Sequence, residues 1–168
     1  MASGTVPESD SSSLDLHVDV LHRTEAGEVE TDFFADFVRQ VAAACGFEHG
    51  SVVVVVAGDD EVKDLNRRFR SQDRVTDILS FPEDAAADGV SLHGEMIIAA
   101  GKAQRQAAQR HHSLSTEFRY LLIHGALHLM GLDHELDDGQ MEAEERRVRG
   151  LLLSPVGRGG AQVKRDES

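Results

Sequence analysis

Five consecutive valines, Val52 to Val56, constrain the fold more than any other segment of this sequence. Their branched side chains favour extended backbone. A strand that lacks polar alternation is expected to be covered on both faces. The run therefore predicts a buried strand inside a layered structure.

Strand and helix patterns are interleaved along the rest of the chain. Leu14 to Val20 alternates apolar and polar residues with the period of a half-buried strand. In residues 31–45 the apolar side chains recur at three- and four-residue steps, and Gly46 follows, which predicts an amphipathic helix. A further helix, capped at Gly58, Asp59 or Asp60, is predicted to align Val62, Leu65 and Phe69. Two more strands are predicted over 77–81 and 96–99. The remaining predicted helices cover 102–112 and 116–130, and a last one is capped by Asp137 or Asp138.

This order of elements, without a strict β-α repeat, predicts an α+β fold: a mixed central β-sheet packed with helices. A chain of 168 residues with 40% apolar residues suits one domain. We place that domain at residues 14–153, and we expect residues 1–13 and 154–168 to be disordered tails.

The sequence predicts a cytoplasmic protein. The N-terminal residues lack the basic and apolar regions of a secretory signal. The longest apolar run, Val52 to Ala57, is far shorter than the ~20 residues that span a bilayer. The single cysteine, Cys45, cannot form an internal disulfide and is interpreted as a small buried hydrophobe.

The net charge of −13 argues against indiscriminate binding to nucleic acid, which needs an extended basic surface. The charge is uneven, however. Residues 63–74 hold five basic and two acidic side chains, so a local positive patch is possible, whereas residues 133–145 are acidic and should repel a phosphate backbone.

The most specific chemical feature is a histidine cluster at residues 124–134. His124 and His128 are four apart, so on a helix both imidazoles point from one face. Gly131 can end the helix in a left-handed conformation and return the chain, which lets His134 supply a third ligand. Three imidazoles and one open position are typical of catalytic zinc. Asp133 is a candidate acceptor that would orient a histidine ligand.

This spacing matches that of the extended zincin motif, except that Gly125 stands in place of the glutamate that acts as general base in peptidases. A metalloprotease is therefore a minor alternative. Three imidazoles also suit nickel, cobalt and copper, so the metal itself stays open.

Residues 124–134 resemble the signature H-G-x-L-H-L-x-G-Y-D-H of the YbeY family of bacterial rRNA-maturation factors, with Leu132 in place of the tyrosine. A second segment, residues 66–70 followed by 75–82, is similar to the family pattern N-x-x-[YF]-R and P-T-D-V-L-S-F-P. Val75 replaces the usual proline, and Glu95 departs from the Gly-Asp pair expected after the loop.

The resemblance covers about residues 14–153 and implies a zinc-dependent, single-strand-specific endoribonuclease of 16S rRNA 3′-end maturation and ribosome quality control. It implies one Zn²⁺ on His124, His128 and His134, and a catalytic role for Arg70. A guanidinium could stabilise the charge that develops on a phosphodiester, while the metal activates the nucleophile or clamps the phosphate. The expected partners are single-stranded RNA and the small ribosomal subunit or a ribosomal protein, with no membrane and no DNA.

Several residues have weaker assignments. Ser80 and Asp77 can face the site or serve a turn, His111 and His112 are interpreted as surface residues, and His93 has no assigned role. Other basic side chains can guide RNA or simply form solvated helix faces: Arg67, Arg68, Arg74, Lys102, Arg105 and Arg110.

Two functional alternatives stay open. One is a peptidase or small-molecule metallohydrolase with an unusual base. The other is a ribosome-assembly factor in which zinc only stabilises the fold.

Overall fold

The computed structural model describes residues 15–24, 29–83, 89–133 and 135–153. The two expected tails, Leu14 and the predicted ligand His134 lie outside the described residues. The elements in chain order are β1 (Asp15–Arg23), α1 (Phe34–Ala44), β2 (His49–Ala57), α2 (Asp59–Arg70), β3 (Ile78–Pro82), β4 (Ser91–Ala99), α3 (Ala100–Gln109), α4 (Leu114–Leu129) and α5 (Gln140–Leu153).

The four strands form one mixed sheet in the order β1-β2-β4-β3, which confirms the predicted α+β class. β2 pairs in parallel with β1 and β4, and β3 pairs antiparallel with β4. Among the strands that the structure describes, β3 is thus at an edge of the sheet, with β4 as its one neighbour.

The valine run lies in the interior strand β2, as predicted. Val52, Val54 and Val56 face the main core, which α1, α4 and α5 complete. Val55 and Ala57 face a smaller cluster on the other side with Val62 of α2. Helices therefore cover both faces of the sheet, which explains why no polar residue interrupts the run.

Gly58, one of the three candidate caps, takes the N-cap position of α2, and it makes no side-chain cap bond. The Asp59 carboxylate accepts a hydrogen bond from the backbone N–H of Lys102, 3.1 Å away, near the start of α3. Two local predictions need correction. Phe69 was aligned with the apolar residues of α2, yet 59% of its surface is exposed. The strand predicted over 96–99 begins earlier, at Ser91.

The cap predicted for α5 is confirmed at Asp137. Its carboxylate accepts from the backbone N–H groups of Gly139 and Met141 at 2.9 Å each. Within the described ranges, no helix is long and apolar enough to cross a membrane.

Candidate active site

The helix α4 positions two of the predicted ligands. Its first turn is capped by Ser113, whose hydroxyl accepts from the backbone N–H of Thr116 at 3.0 Å. At the other end Gly131 has a φ of +100°, the left-handed conformation predicted for it. The Gly131 N–H donates to the backbone oxygen of His128 at 3.0 Å, and the Leu132 N–H donates to the backbone oxygen of Leu127 at 3.1 Å. These two hydrogen bonds define a Schellman motif.

His124 and His128 lie one turn apart on the same face of α4. Their ring centroids are 4.7 Å apart and the rings are at 79° to each other. Both line a cleft of about 640 Å³. The donor type and spacing suit a shared divalent ion, but among the described residues no group of three His, Cys, Asp or Glu side chains forms a metal site. The predicted three-histidine set stays a prediction because His134 is not described.

Glu145 of α5 contacts His124, and the sequence reasoning missed it. Its Oε2 is 3.3 Å from Nδ1 of His124 and 3.2 Å from the Arg149 guanidinium. Burial acts to raise the pKa of Glu145, but the hydrogen bond and charge of His124, with the charges of Arg149 and His128, hold this pKa below its ordinary value. The carboxylate is thus ionised and can accept a hydrogen bond from an Nδ1–H of His124. In that tautomer the lone pair that could bind a metal would be on Nε2.

The sequence did contain a signal for this contact. In α5, Met141 and Val148 are fully buried. Glu145 is four residues after the first and three before the second, so it belongs to the same inward face. Composition alone instead places Glu145 in the acidic segment 133–145, which does not indicate a contact with His124.

Asp133, the predicted acceptor, also lines the cleft. Its Oδ1 accepts from the backbone N–H of Glu135 at 3.0 Å, which organises the loop after α4. Its role toward a histidine stays a prediction.

Arg70 reaches the same cleft from the end of α2. Its Nη2 donates to the backbone oxygen of Ser80 on the edge strand β3 at 2.8 Å. The Ser80 hydroxyl in turn donates to the backbone oxygen of Gly125 in α4 at 3.1 Å. A chain of two hydrogen bonds therefore links Arg70 to the histidine helix. The cleft is also lined by Asn66, Arg74, Thr76, Asp77, Ile78, Pro82, Gly131 and Glu135.

Gly125 lies where α4 is closest to the sheet. A β-carbon at this position would be 2.6 Å from Sδ of Met96, 2.7 Å from Cδ1 of Ile78 and 3.1 Å from the Ser80 hydroxyl. A side chain at this position would therefore collide with Met96 and Ile78. A glutamate does not fit here unless these neighbours move.

A buried acid lies behind the cleft and is connected to it. Glu117 is fully buried, and its carboxylate accepts from Gln106, Arg110 and His112 at 2.8, 3.0 and 2.6 Å. The Gln106 amide also donates to Asp77 in the cleft wall at 3.1 Å. His112 is therefore a partner of a core carboxylate, and its interpretation as a surface residue was wrong. Its neighbour His111 is exposed, as predicted.

The other candidate basic residues divide into two groups. Arg74 lines the cleft. Arg67 and Arg68 both pair with Asp64 on the exposed side of α2, and Arg105 pairs with Asp59 at 3.0 Å. These last three, like Lys102 and Arg110, are not among the residues that line the cleft, and any contact of theirs with RNA stays a prediction.

Cys45 lies at the contact between α1 and α5, far along the chain from the histidines. Burial and then the neighbouring Glu144 carboxylate raise the pKa of its thiol to about 11. A thiol with this pKa is protonated at neutral pH, which agrees with a structural rather than a nucleophilic role.

Comparisons with known proteins show the family of this chain. A family model described as endoribonuclease YbeY matches residues 19–152. A relative from Koribacter versatilis is 44% identical over 119 residues, covering 71% of this chain and 75% of its own. One from Aquifex aeolicus is 32% identical over 137 residues, covering 82% and 91%. Both are named endoribonuclease YbeY.

A solved structure has the same fold. The solution structure of TM1509 from Thermotoga maritima superposes with a TM-score of 0.56 at 26% identity and covers 88% of this chain and 99% of its own.

Proposed function

Because this chain belongs to the YbeY family of endoribonucleases, we propose that it cuts single-stranded RNA with a bound zinc ion, in 16S rRNA 3′-end maturation and ribosome quality control. One observation supports the chemistry most directly. The paired imidazoles of His124 and His128 and the guanidinium of Arg70 line one cleft although they come from separate helices.

The metal would be held by His124 and His128, with His134 as the third ligand. The pair on α4 fits this role because the two ring centroids are 4.7 Å apart and the Glu145 carboxylate contacts Nδ1 of His124. Bound zinc would supply either a water whose pKa is lowered toward ~7 or direct polarisation of a phosphoryl oxygen.

Arg70 would bind the scissile phosphate. One of its N–H groups is held by the Ser80 carbonyl, which fixes the plane of the guanidinium at the cleft wall. A guanidinium carries five N–H donors and stays charged, so further donors can meet phosphate oxygens. Fixed positive charge that is in place before the reaction is what stabilises a developing phosphorane.

The peptidase alternative loses support at Gly125. A side chain at residue 125, where the zincin motif has its glutamate base, would collide with Met96 and Ile78. Binding to the small ribosomal subunit or to a ribosomal protein, and a cytoplasmic location, stay predictions from the sequence.

The test is cleavage of end-labelled RNA. Zinc-loaded protein and a folded His124→Ala/His128→Ala variant are incubated with a single strand and with its duplex, and the products are resolved on a denaturing gel. We expect cleavage of the single strand by the unsubstituted protein alone. Equal cleavage by both proteins would contradict a histidine-held metal, and a failure of both to cut would favour an assembly factor with a structural zinc.

A further inference from the structure

Two aromatic rings lie beside the cleft, and the chemistry described above does not use them. Phe69 of α2 and Phe81 of β3 are in edge-to-face contact, with centroids 5.6 Å apart and an interplanar angle of 72°. Phe81 packs against the smaller core cluster. Phe69 leaves 59% of its surface exposed, which is unusual for a phenylalanine in a folded domain.

Arginines flank both rings. The guanidinium carbon of Arg68 is 5.5 Å from the Phe69 centroid, and that of Arg70 is 5.7 Å from the Phe81 centroid. We call Phe69 and Phe81, with Arg68 and Arg70 at their margin, the aromatic platform. Arg70 joins this platform to the cleft, because it contacts Phe81 and also lines the wall near His124.

We propose that the aromatic platform binds an unpaired nucleobase of the RNA next to the scissile phosphate. This inference rests on the proposed function and adds a binding site that would select single strands. An exposed phenylalanine offers a flat apolar surface that any base can stack on, and the adjacent guanidiniums suit the phosphates on either side.

The charge around the platform favours RNA over a protein partner. Arg67, Arg68, Arg70 and Arg74 lie within eight residues of one another around Phe69, and two of them, Arg67 and Arg68, share the carboxylate of Asp64. A base inside a duplex is already stacked and paired, so it cannot reach Phe69 without being extruded. The platform therefore predicts a preference for single strands without any base-specific hydrogen bond.

The experiment is a binding cycle in which both the protein and the strand are changed. Unsubstituted protein and its Phe69→Ala variant, both stripped of metal with a chelator so that the strand is not cut, are titrated into a fluorescent single-stranded RNA and into an abasic ribose-phosphate strand of equal length, with binding followed by anisotropy. A gel after each titration checks that the strand is intact. Phe69→Ala should weaken binding of the normal strand roughly tenfold, the scale of one lost base–aromatic stack.

On the abasic strand the two proteins should bind equally, because no base is present to stack. Phe69→Trp should keep the affinity for normal RNA. Leu151→Ala is the matched control, since Leu151 is also exposed (54%) but lies on α5, and this variant should bind like the unsubstituted protein.

The outcomes separate this inference from the proposed function. Suppose that the unsubstituted protein binds the single strand, and cuts it once zinc is restored, but Phe69→Ala binds the strand equally well. The platform is then wrong, the proposed function stands, and the exposed ring is better assigned to a protein partner. An equal loss on normal and abasic strands would also overturn stacking. If the unsubstituted protein neither binds nor cuts the strand, both proposals fail.

Discussion

Gly125 shows how one residue can decide between two chemistries. The helix α4 approaches the sheet so closely that a β-carbon at 125 would meet Met96 and Ile78 at 2.6 and 2.7 Å. The sequence alone indicated that the glutamate base was missing. The structure adds the reason: α4 packs so closely against the sheet at residue 125 that a side chain there would collide with Met96 and Ile78.

A substitution at this glycine has a clear expected result. Gly125→Ala should lower the free energy of unfolding by roughly 1–3 kcal/mol, the usual cost of overpacking a core. Gly150→Ala is the control, because a β-carbon there meets nothing within 4 Å in α5. It should raise stability by roughly 0.5–1 kcal/mol through helix propensity. Urea denaturation measures both, and a Gly125→Ala protein as stable as the unsubstituted one would refute the close-packing argument.

Arg70 is the residue whose role is most open to a kinetic test. Arg70→Ala should reduce cleavage on the order of 10²-fold, as for loss of one preorganised donor, and should leave bound zinc unchanged. Arg70→Lys should recover only part of the rate. An ammonium lacks the planar set of donors with which a guanidinium can bind the Ser80 carbonyl and a phosphate at the same time. The measurements are single-turnover cleavage and zinc content. Cleavage at the unsubstituted rate would remove Arg70 from the mechanism.

At the scale of elements, the sequence predicted the interior strand and the histidine helix best. Their signals are strong because each is a local pattern: β-branched residues in β2, and the spacing of His124 and His128 in α4 with Gly131 just after its end. The start of β4 was missed because Gly94 and Glu95 lower strand propensity. Pairing with β2 on one side and β3 on the other overrides that propensity.

The contact between α4 and α5 could not be predicted in the same way. Glu145 is 21 residues from His124, and nothing local in either helix specifies that they meet. The exposure of Phe69 could not be predicted for a similar reason. A helical pattern shows which side chains share a face of α2, but it does not show how far along α2 the sheet covers that face.

This contact predicts a change in metal affinity. Glu145→Gln should weaken zinc binding about 10- to 100-fold, because an amide is a poorer acceptor for Nδ1 of His124 than an ionised carboxylate. The control is Glu142→Gln on the exposed side of α5, where the carboxylate contacts only Arg146 among the salt bridges of the described residues. Competition with a chromogenic chelator measures both. Equal affinities in the two variants would show that Glu145 does not support the ligand.

For the whole molecule, the site is assembled from three layers. The helix α2 on one face supplies Arg70, the edge strand β3 supplies Ser80, and α4 on the other face supplies the histidines. The two sequence motifs that resemble the YbeY family are thus separate in the chain and adjacent in the fold. Their spacing along the sequence could not show this, because it depends on the sheet order β1-β2-β4-β3.

The central claim is that this cleft cuts RNA only when it holds a metal. The most direct measurement is to strip the protein with a chelator, titrate it with zinc, and follow both bound zinc and cleavage of an end-labelled single-stranded RNA. We predict no cleavage by the stripped protein and a rate that rises with zinc and levels off at one ion per chain. Full cleavage by the metal-free protein would contradict this account.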